Sequence, residues 1–211
     1  SDIRRTHKGM GYVNGSVDDV PKYLKQLGYR VDIHDDRSLS GAYLGVFDTI
    51  IVGVRAYNTR DILKSTHKRL LNYVREGGRL LVQYNVSRRL QVKQIGPFPF
   101  SLSRRRVTEE DAVVHFLDPK HPIFFKPNRI KATAFLHWVQ ERGLYFADSW
   151  HQAYQTPMES HDQGEKKNPG GLLVCRYGKG TFVYTGYSFF RQIPAGVGGA
   201  FRLFVNLIEY R

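Results

Sequence analysis

The sequence, 211 residues long, predicts an α/β fold with a mostly parallel central sheet, and three observations carry that expectation. Two short runs, Ile50-Ile51-Val52 with Val54 and Leu80-Leu81-Val82, are apolar throughout, as strands covered on both faces must be. The first run switches abruptly at Arg55 into the polar stretch Tyr57-Asn58-Thr59-Arg60. Between such runs lie segments of helical spacing that end in glycine, which gives the strand–helix–strand order of a right-handed α/β sheet.

Taken in order, Met10 to Val13 is the first expected strand. Asp18-Asp19-Val20-Pro21 then opens a helix, with acids and proline where a helix N-terminus accepts them. That helix runs through Tyr23, Leu24 and Leu27 and stops at Gly28, a suitable C-cap. Tyr29 to Ile33 is a second strand, followed by a loop and the strand Phe47 to Val54. A helix from about Thr66 to Arg75 shows Leu70, Leu71 and Val74 on one face and ends at Gly77-Gly78; Arg79 to Tyr84 is the next buried strand. From Asn85 to Ser103 the chain turns polar, basic and proline-bearing, and from Val107 to Pro169 it reads as short strands, turns and aromatics. Leu172 to Tyr177 and Thr181 to Thr185 flank Gly178-Lys179-Gly180 as a hairpin. A final amphipathic helix, Ala200 to Ile208, places Phe201, Phe204, Val205 and Ile208 at helical spacing.

Composition narrows the function classes. Hydrophobic content of 41% and aromatic content of 13% suffice for a core, and no apolar run is long enough to span a membrane. The opening SDIRRTHKG lacks an apolar targeting segment and reads as the cut edge of a longer protein. Cys175 is the only cysteine, so no intrachain disulfide and no cysteine-based metal cluster can form. The net charge of +13 is uneven: between Arg55 and Arg106 thirteen Lys and Arg face two acids, Asp61 and Glu76. Such a belt is either a solvated face or a meeting place for phosphates, acidic glycans or nucleic acid. No zinc-finger, RNP or basic-zipper pattern accompanies it, which makes nucleic acid the less favoured partner.

Parallel sheets bind ligands just beyond the carboxyl ends of their strands. Arg55, Tyr57, Asn58, Gln83 and Asn85 are expected to converge there, joined by Arg191 and Gln192 after the last strand. Arginine, amide and tyrosine groups together suit hydroxyls and carboxylates, as in sugars. The alternative for Arg55 and Asn58 is helix capping and loop tying. Trp138, Glu141 and Arg142 form a second cluster, in which Trp138 either stacks on a sugar or plugs the 107–169 region onto the sheet. Gly9, Gly11 and Gly15 do not match the dinucleotide spacing and read as strand and turn punctuation.

The strings GYVNGSVDDVPKYLKQLGYRV, FDTIIVGVRAYNTRD, LLNYVREGGRLLVQYN, WVQERGLYF and GGLLVCRYGKGTFVYTGYSFFRQIPAG occur in this order. Together they resemble the C-terminal glutamine-amidotransferase-like domain appended to bacterial PIG-L (LmbE-like) deacetylases, over about Gly9 to Tyr210. The resemblance implies a flavodoxin-like three-layer sandwich of the class I amidotransferase type, related to ThuA-like domains. It implies one domain over 1–211, with a core at about 9–86 and 170–210 and an inserted β-rich elaboration at about 87–169. It also implies a PIG-L/LmbE-like deacetylase domain upstream in the same parent chain, in a parent that is exported or periplasmic by analogy.

Neither catalytic apparatus of these relatives is legible. PIG-L deacetylases hold zinc with a His-Pro-Asp-Asp signature, whereas this chain has His34-Asp35-Asp36 without the proline and His121-Pro122 without the acids. A class I glutaminase needs a cysteine on a sharp turn after a central strand, activated by an acid-oriented histidine. Here Asn85 stands at the nucleophile's place by register, and TGYSFFRQ has no histidine where the base would follow. Cys175, inside the strand LLVCRY, reads as a packed core thiol. No catalytic residue, cofactor or metal is therefore expected. Three readings follow: a non-catalytic accessory domain that binds carbohydrate or docks on the catalytic domain, a divergent cysteine-less hydrolase of a sugar derivative, or a polyanion-binding module using the 55–106 belt.

Overall fold

A computed structural model describes residues 3–16 and 18–211. The main elements are β1 (Gly9–Val13), α1 (Val20–Leu27), β2 (Arg30–Ile33), α2 (Asp36–Gly41), β3 (Thr49–Val52), α3 (Ala56–Thr59), α4 (Leu63–Arg75) and β4 (Arg79–Gln83). They continue with β5 (Phe100–Leu102), β6 (Val114–Phe116), β7 (Ala147–Trp150), β8 (Met158–Ser160), β9 (Leu172–Tyr177), β10 (Gly180–Thr185), α5 (Phe189–Gln192) and α6 (Gly198–Glu209).

Six strands form the central sheet in the order β2-β1-β3-β4-β10-β9, all parallel except β9, which pairs antiparallel with β10 across the glycine turn. This is the flavodoxin-like arrangement, with its topological switch point between β1 and β3. The apolar strand sequences are explained by burial on both faces. Met10, Tyr12, Ile51, Leu81 and Val183 pack beneath α1 and α6. Val13, Ile50, Val52, Leu80, Val82, Phe182 and Tyr184 pack beneath α2 and α4. Gly28 ends α1 in the left-handed conformation, its N–H returning to the carbonyls of Leu24 and Lys25.

Three boundaries differ from the sequence expectation. The loop before β3 contains α2, a six-residue helix capped by Asp35, whose carboxylate accepts from Ser38 N at 2.8 Å. It buries only Leu39, so it carries no readable periodicity. Helix α4 begins at Leu63 rather than near Thr66, because the Thr66 hydroxyl bonds back to the Ile62 carbonyl at 2.8 Å instead of capping. The strand expected from Phe47 to Val54 is shorter, since Phe47 closes the 3-10 turn Leu44–Val46.

Between β4 and β9 the chain wraps both faces of the sheet. Its strands are only three or four residues long and form two antiparallel pairs, β5 with β7 and β6 with β8. Phe124, Phe135, Trp138, Phe146 and Met158 extend the α1/α6 core, whereas Ile95, Phe100 and Tyr154 extend the other. Trp138 is 3% exposed, donates Nε1 to the Ala134 carbonyl at 3.0 Å and packs on Phe135, Tyr187 and Phe189. Buried Arg142 directs its guanidinium to the carbonyls of Ala112 and Phe135, tying the insertion together.

Candidate functional site

The carboxyl edge of the sheet is where a parallel fold leaves room for a ligand, and here the chain fills much of that room itself. At the switch point Ser16 N donates to the Val54 carbonyl at 2.8 Å. A Cβ on Gly15 would lie 2.2 Å from that same carbonyl oxygen, so only glycine allows the two loops to close. Beneath them, the Tyr12 hydroxyl donates to Asp18 at 3.0 Å and accepts from Gln83 Nε2 at 2.9 Å. Burial raises the Asp18 carboxyl above its ordinary range.

Of the residues expected from the sequence, Tyr57, Gln83 and Asn85 come together, and most of the polar groups of the set are bonded within the chain. Asn85 is fully buried: its Oδ1 accepts from Tyr57 N at 3.0 Å and its Nδ2 donates to the Gln83 carbonyl at 3.0 Å. The Tyr57 hydroxyl lies 2.8 Å from His67 Nδ1, and burial depresses His67 to about 4. Asn58 clamps the following segment, accepting from Val86 N at 2.9 Å and donating to the carbonyls of Val86 and Arg88. Gln91 N adds a bond to the Tyr57 carbonyl at 2.8 Å. The 86–91 stretch is thus laid across the edge. Gln192 is likewise occupied, its amide bracketing Val139 N and O at 2.8 and 2.9 Å.

Two arginines face outward. Arg55 is exposed and left-handed, with φ 62° and ψ 14°, a conformation a side-chain-bearing residue adopts only where its surroundings impose it. Its N–H is held by the Tyr84 carbonyl at 2.9 Å, and its guanidinium lies 5.9 Å from the centre of the Tyr84 ring. Tyr84 stacks on Tyr145 at 5.8 Å and 12° and leans on Phe190 at 5.3 Å. Arg191 covers Phe190 at 4.8 Å and pairs with Glu141 at 2.8 Å. The result is an aromatic cluster flanked by two cations, in which Tyr84 is buried at 5% exposure and Tyr145 and Phe190 are half-buried. Sequence reading missed Tyr84, Tyr145 and Phe190 as site residues; the one local signal was an aromatic side chain just past a strand end.

The remaining groups named from the sequence are taken up by the scaffold. Cys175 is 3% exposed on β9, and burial pushes its thiol up to about 12. Asp35 caps α2, Asp36 pairs with Arg60 at 2.7 Å, and His34 Nδ1 sits 2.6 Å from the Ser38 hydroxyl. His121 holds a turn, its Nε2 being 2.7 Å from Gln155 Oε1. Among the described residues no group of three or more His, Cys, Asp or Glu side chains is arranged to hold a metal ion, and no helix is long and apolar enough to cross a membrane. The basic 55–106 belt is divided: Arg55 follows the carboxyl end of β3, whereas Arg79 begins β4 at the opposite edge of the sheet.

No protein-family model matches this chain, and no curated protein sequence matches it. Solved structures do share its fold. A ThuA-like protein from Bacteroides uniformis superposes with a TM-score of 0.57 at 14% identity, over 95% of this chain and 89% of that one. A GMP synthase component from Thermoplasma acidophilum gives 0.53 at 12% identity, over 97% and 96%. A cold-adapted β-galactosidase from Rahnella sp. R3 gives 0.53 at 16% identity, where this chain covers 95% of itself and only 32% of the enzyme. The fold is accordingly the class I glutamine-amidotransferase-like fold, of the kind found in ThuA-like proteins.

Proposed function

We propose that this ThuA-type domain is a non-catalytic accessory domain of a PIG-L/LmbE-like sugar deacetylase, and that it binds carbohydrate at its carboxyl edge. One observation carries the reading: the amide of Asn85, at the nucleophile's place, is engaged at both ends by Tyr57 N and the Gln83 carbonyl. A group so bonded is part of the scaffold. What remains available on this edge is Arg55, Arg191 and the half-buried rings of Tyr145 and Phe190, packed on buried Tyr84, where rings suit the apolar face of a sugar and arginines suit its hydroxyls or carboxylates. The deacetylase parentage rests on the sequence strings quoted above. That a β-galactosidase accommodates the same fold within a longer chain is compatible with a domain serving a carbohydrate enzyme.

Incubating the chain with glutamine and with N-acetylglucosamine oligomers, while following ammonia and acetate release, tests the first half. No turnover is expected. Turnover that vanishes in Tyr57 or Asn58 variants would replace this reading with the divergent hydrolase. Binding of the same oligomers, followed by ligand-observed NMR, is expected to be lost in a variant of the exposed Arg55, Arg55→Ala, with the fold intact.

A further inference from the structure

The amino edge of the sheet, opposite the proposed carbohydrate site, holds a buried cation that forms no ion pair among the described residues. Arg79 opens β4 and is 8% exposed. Its guanidinium donates Nε to the Tyr210 carbonyl and Nη1 to the Asp48 carbonyl, both at 3.1 Å. Among the described residues no carboxylate lies within ion-pair distance of it, and Nη2 has no protein partner. The Asp48 carboxylate points elsewhere, accepting from the N–H groups of Lys8 and Gly9 at 3.1 and 3.3 Å. The Glu209 carboxylate is taken up by the N–H groups of Thr6 and His7 and the Tyr29 hydroxyl. Both carboxylates act on Arg79 through space but neither bonds it, so all its protein hydrogen bonds go to carbonyls and Nη2 is free to meet an oxyanion.

Arg79 also lines two adjoining cavities. The smaller, about 370 Å³, is walled by Arg79, Arg176, Lys179 and Arg211 with the Thr181 side chain and two glycines, and no acid. The larger, about 730 Å³, is mixed: Arg69, Arg79 and Arg211 share it with Asp48, Glu76, Asn72 and two tyrosines. Four cations around one small cavity suit a doubly charged group. The negative charge of Glu76 and Asp48 on the larger cavity would repel further negative charge, and Glu76 and Asn72 could bond hydroxyls, which argues against a long polyanion threading both.

We propose that this edge binds a small phosphomonoester, with the phosphoryl group among Arg79, Arg176, Lys179 and Arg211 and a neutral, hydroxyl-rich body in the larger cavity. The site is independent of the carboxyl-edge reading. Calorimetric titration of the intact chain with glucose 6-phosphate, inorganic phosphate and glucose tests it. The phosphoester is expected to bind most tightly, phosphate more weakly and glucose not at all. Binding should strengthen as pH rises through about 6, where the ester gains its second charge. Arg79→Gln is expected to weaken the phosphoester about thirtyfold. If that variant fails to fold, the exposed pair Arg176→Ala with Lys179→Ala decides, with an expected loss of about five- to tenfold. Unchanged affinity in the pair, binding of glucose as tight as its phosphate, or binding of heparin that phosphate cannot displace would each overturn the proposal.

Discussion

The two edges of one sheet handle their polar groups in opposite ways. At the carboxyl edge, Asn85, Tyr57 and Asn58 are bonded to each other, to the Gln83 carbonyl or to the 86–91 segment, and among these groups Gln83 Oε1 is left buried without a partner. At the amino edge, Arg79 is buried without an ion pair among the described residues, beside two cavities. The strand ends where this fold is expected to host a ligand are largely closed by the chain's own amides. The less expected edge keeps a cation without an ion pair among the described residues. Position in a fold says where a site can be; the fate of each donor and acceptor says whether one is there.

Four changes would break or sharpen this contrast. Gly15→Ala should have the largest effect, because its Cβ meets the backbone of Val54 and Ala56, neither of which can yield easily. A loss of about 3 kcal/mol in urea-unfolding stability is expected; a neutral result would mean that the crevice is not closed as described. Asn85→Ala leaves Tyr57 N–H and the Gln83 carbonyl unpaired in the interior, for a loss of about 2 kcal/mol. Asn85→Cys, tried beside it, should release no ammonia from glutamine, since no histidine base stands by.

The third change is acidification. His67 is held neutral by burial, its pKa depressed to about 4 from 6.5. The unfolded chain therefore takes up a proton across that window and the folded chain does not, so stability falls as pH drops from 6.5 to 4. The buried group's share is on the order of 2 kcal/mol. His7 and His34, also lowered by burial, add to the same slope. Denaturation midpoints over this range should show it, and His67→Gln should flatten it. The smallest effect on stability belongs to Arg55→Gly. Glycine accepts φ 62° without strain, so the variant should gain up to about 1 kcal/mol while losing carbohydrate binding. A parallel fall in both would show that Arg55 serves only the scaffold.

Much of the sheet was readable because burial on both faces writes itself into Ile50–Val52 and Leu80–Val82 as unbroken apolar runs. The glycines at 28, 77 and 178 stand where positive φ is required, and they marked the ends of two helices and the hairpin turn. Helix α2 was not readable, since it buries a single residue and its cap, Asp35, resembled part of a metal motif. The fate of Asn58 was not readable either. An amide at a strand end can face a ligand or hold a loop, and only the position of Val86 and Arg88 decides which.

By itself the sequence determined the layered α/β order and the lack of a cysteine nucleophile at the strand end. Periodicity and residue chemistry are local properties, and the sequence displays them directly. Only the tertiary structure decided which of the polar strand-end residues are already bonded, and it alone assembled Tyr84, Tyr145 and Phe190 into a cluster and left Arg79 without an ion pair among the described residues. Such outcomes depend on contacts between segments far apart in the chain, where each donor and acceptor finds a partner or is left with none.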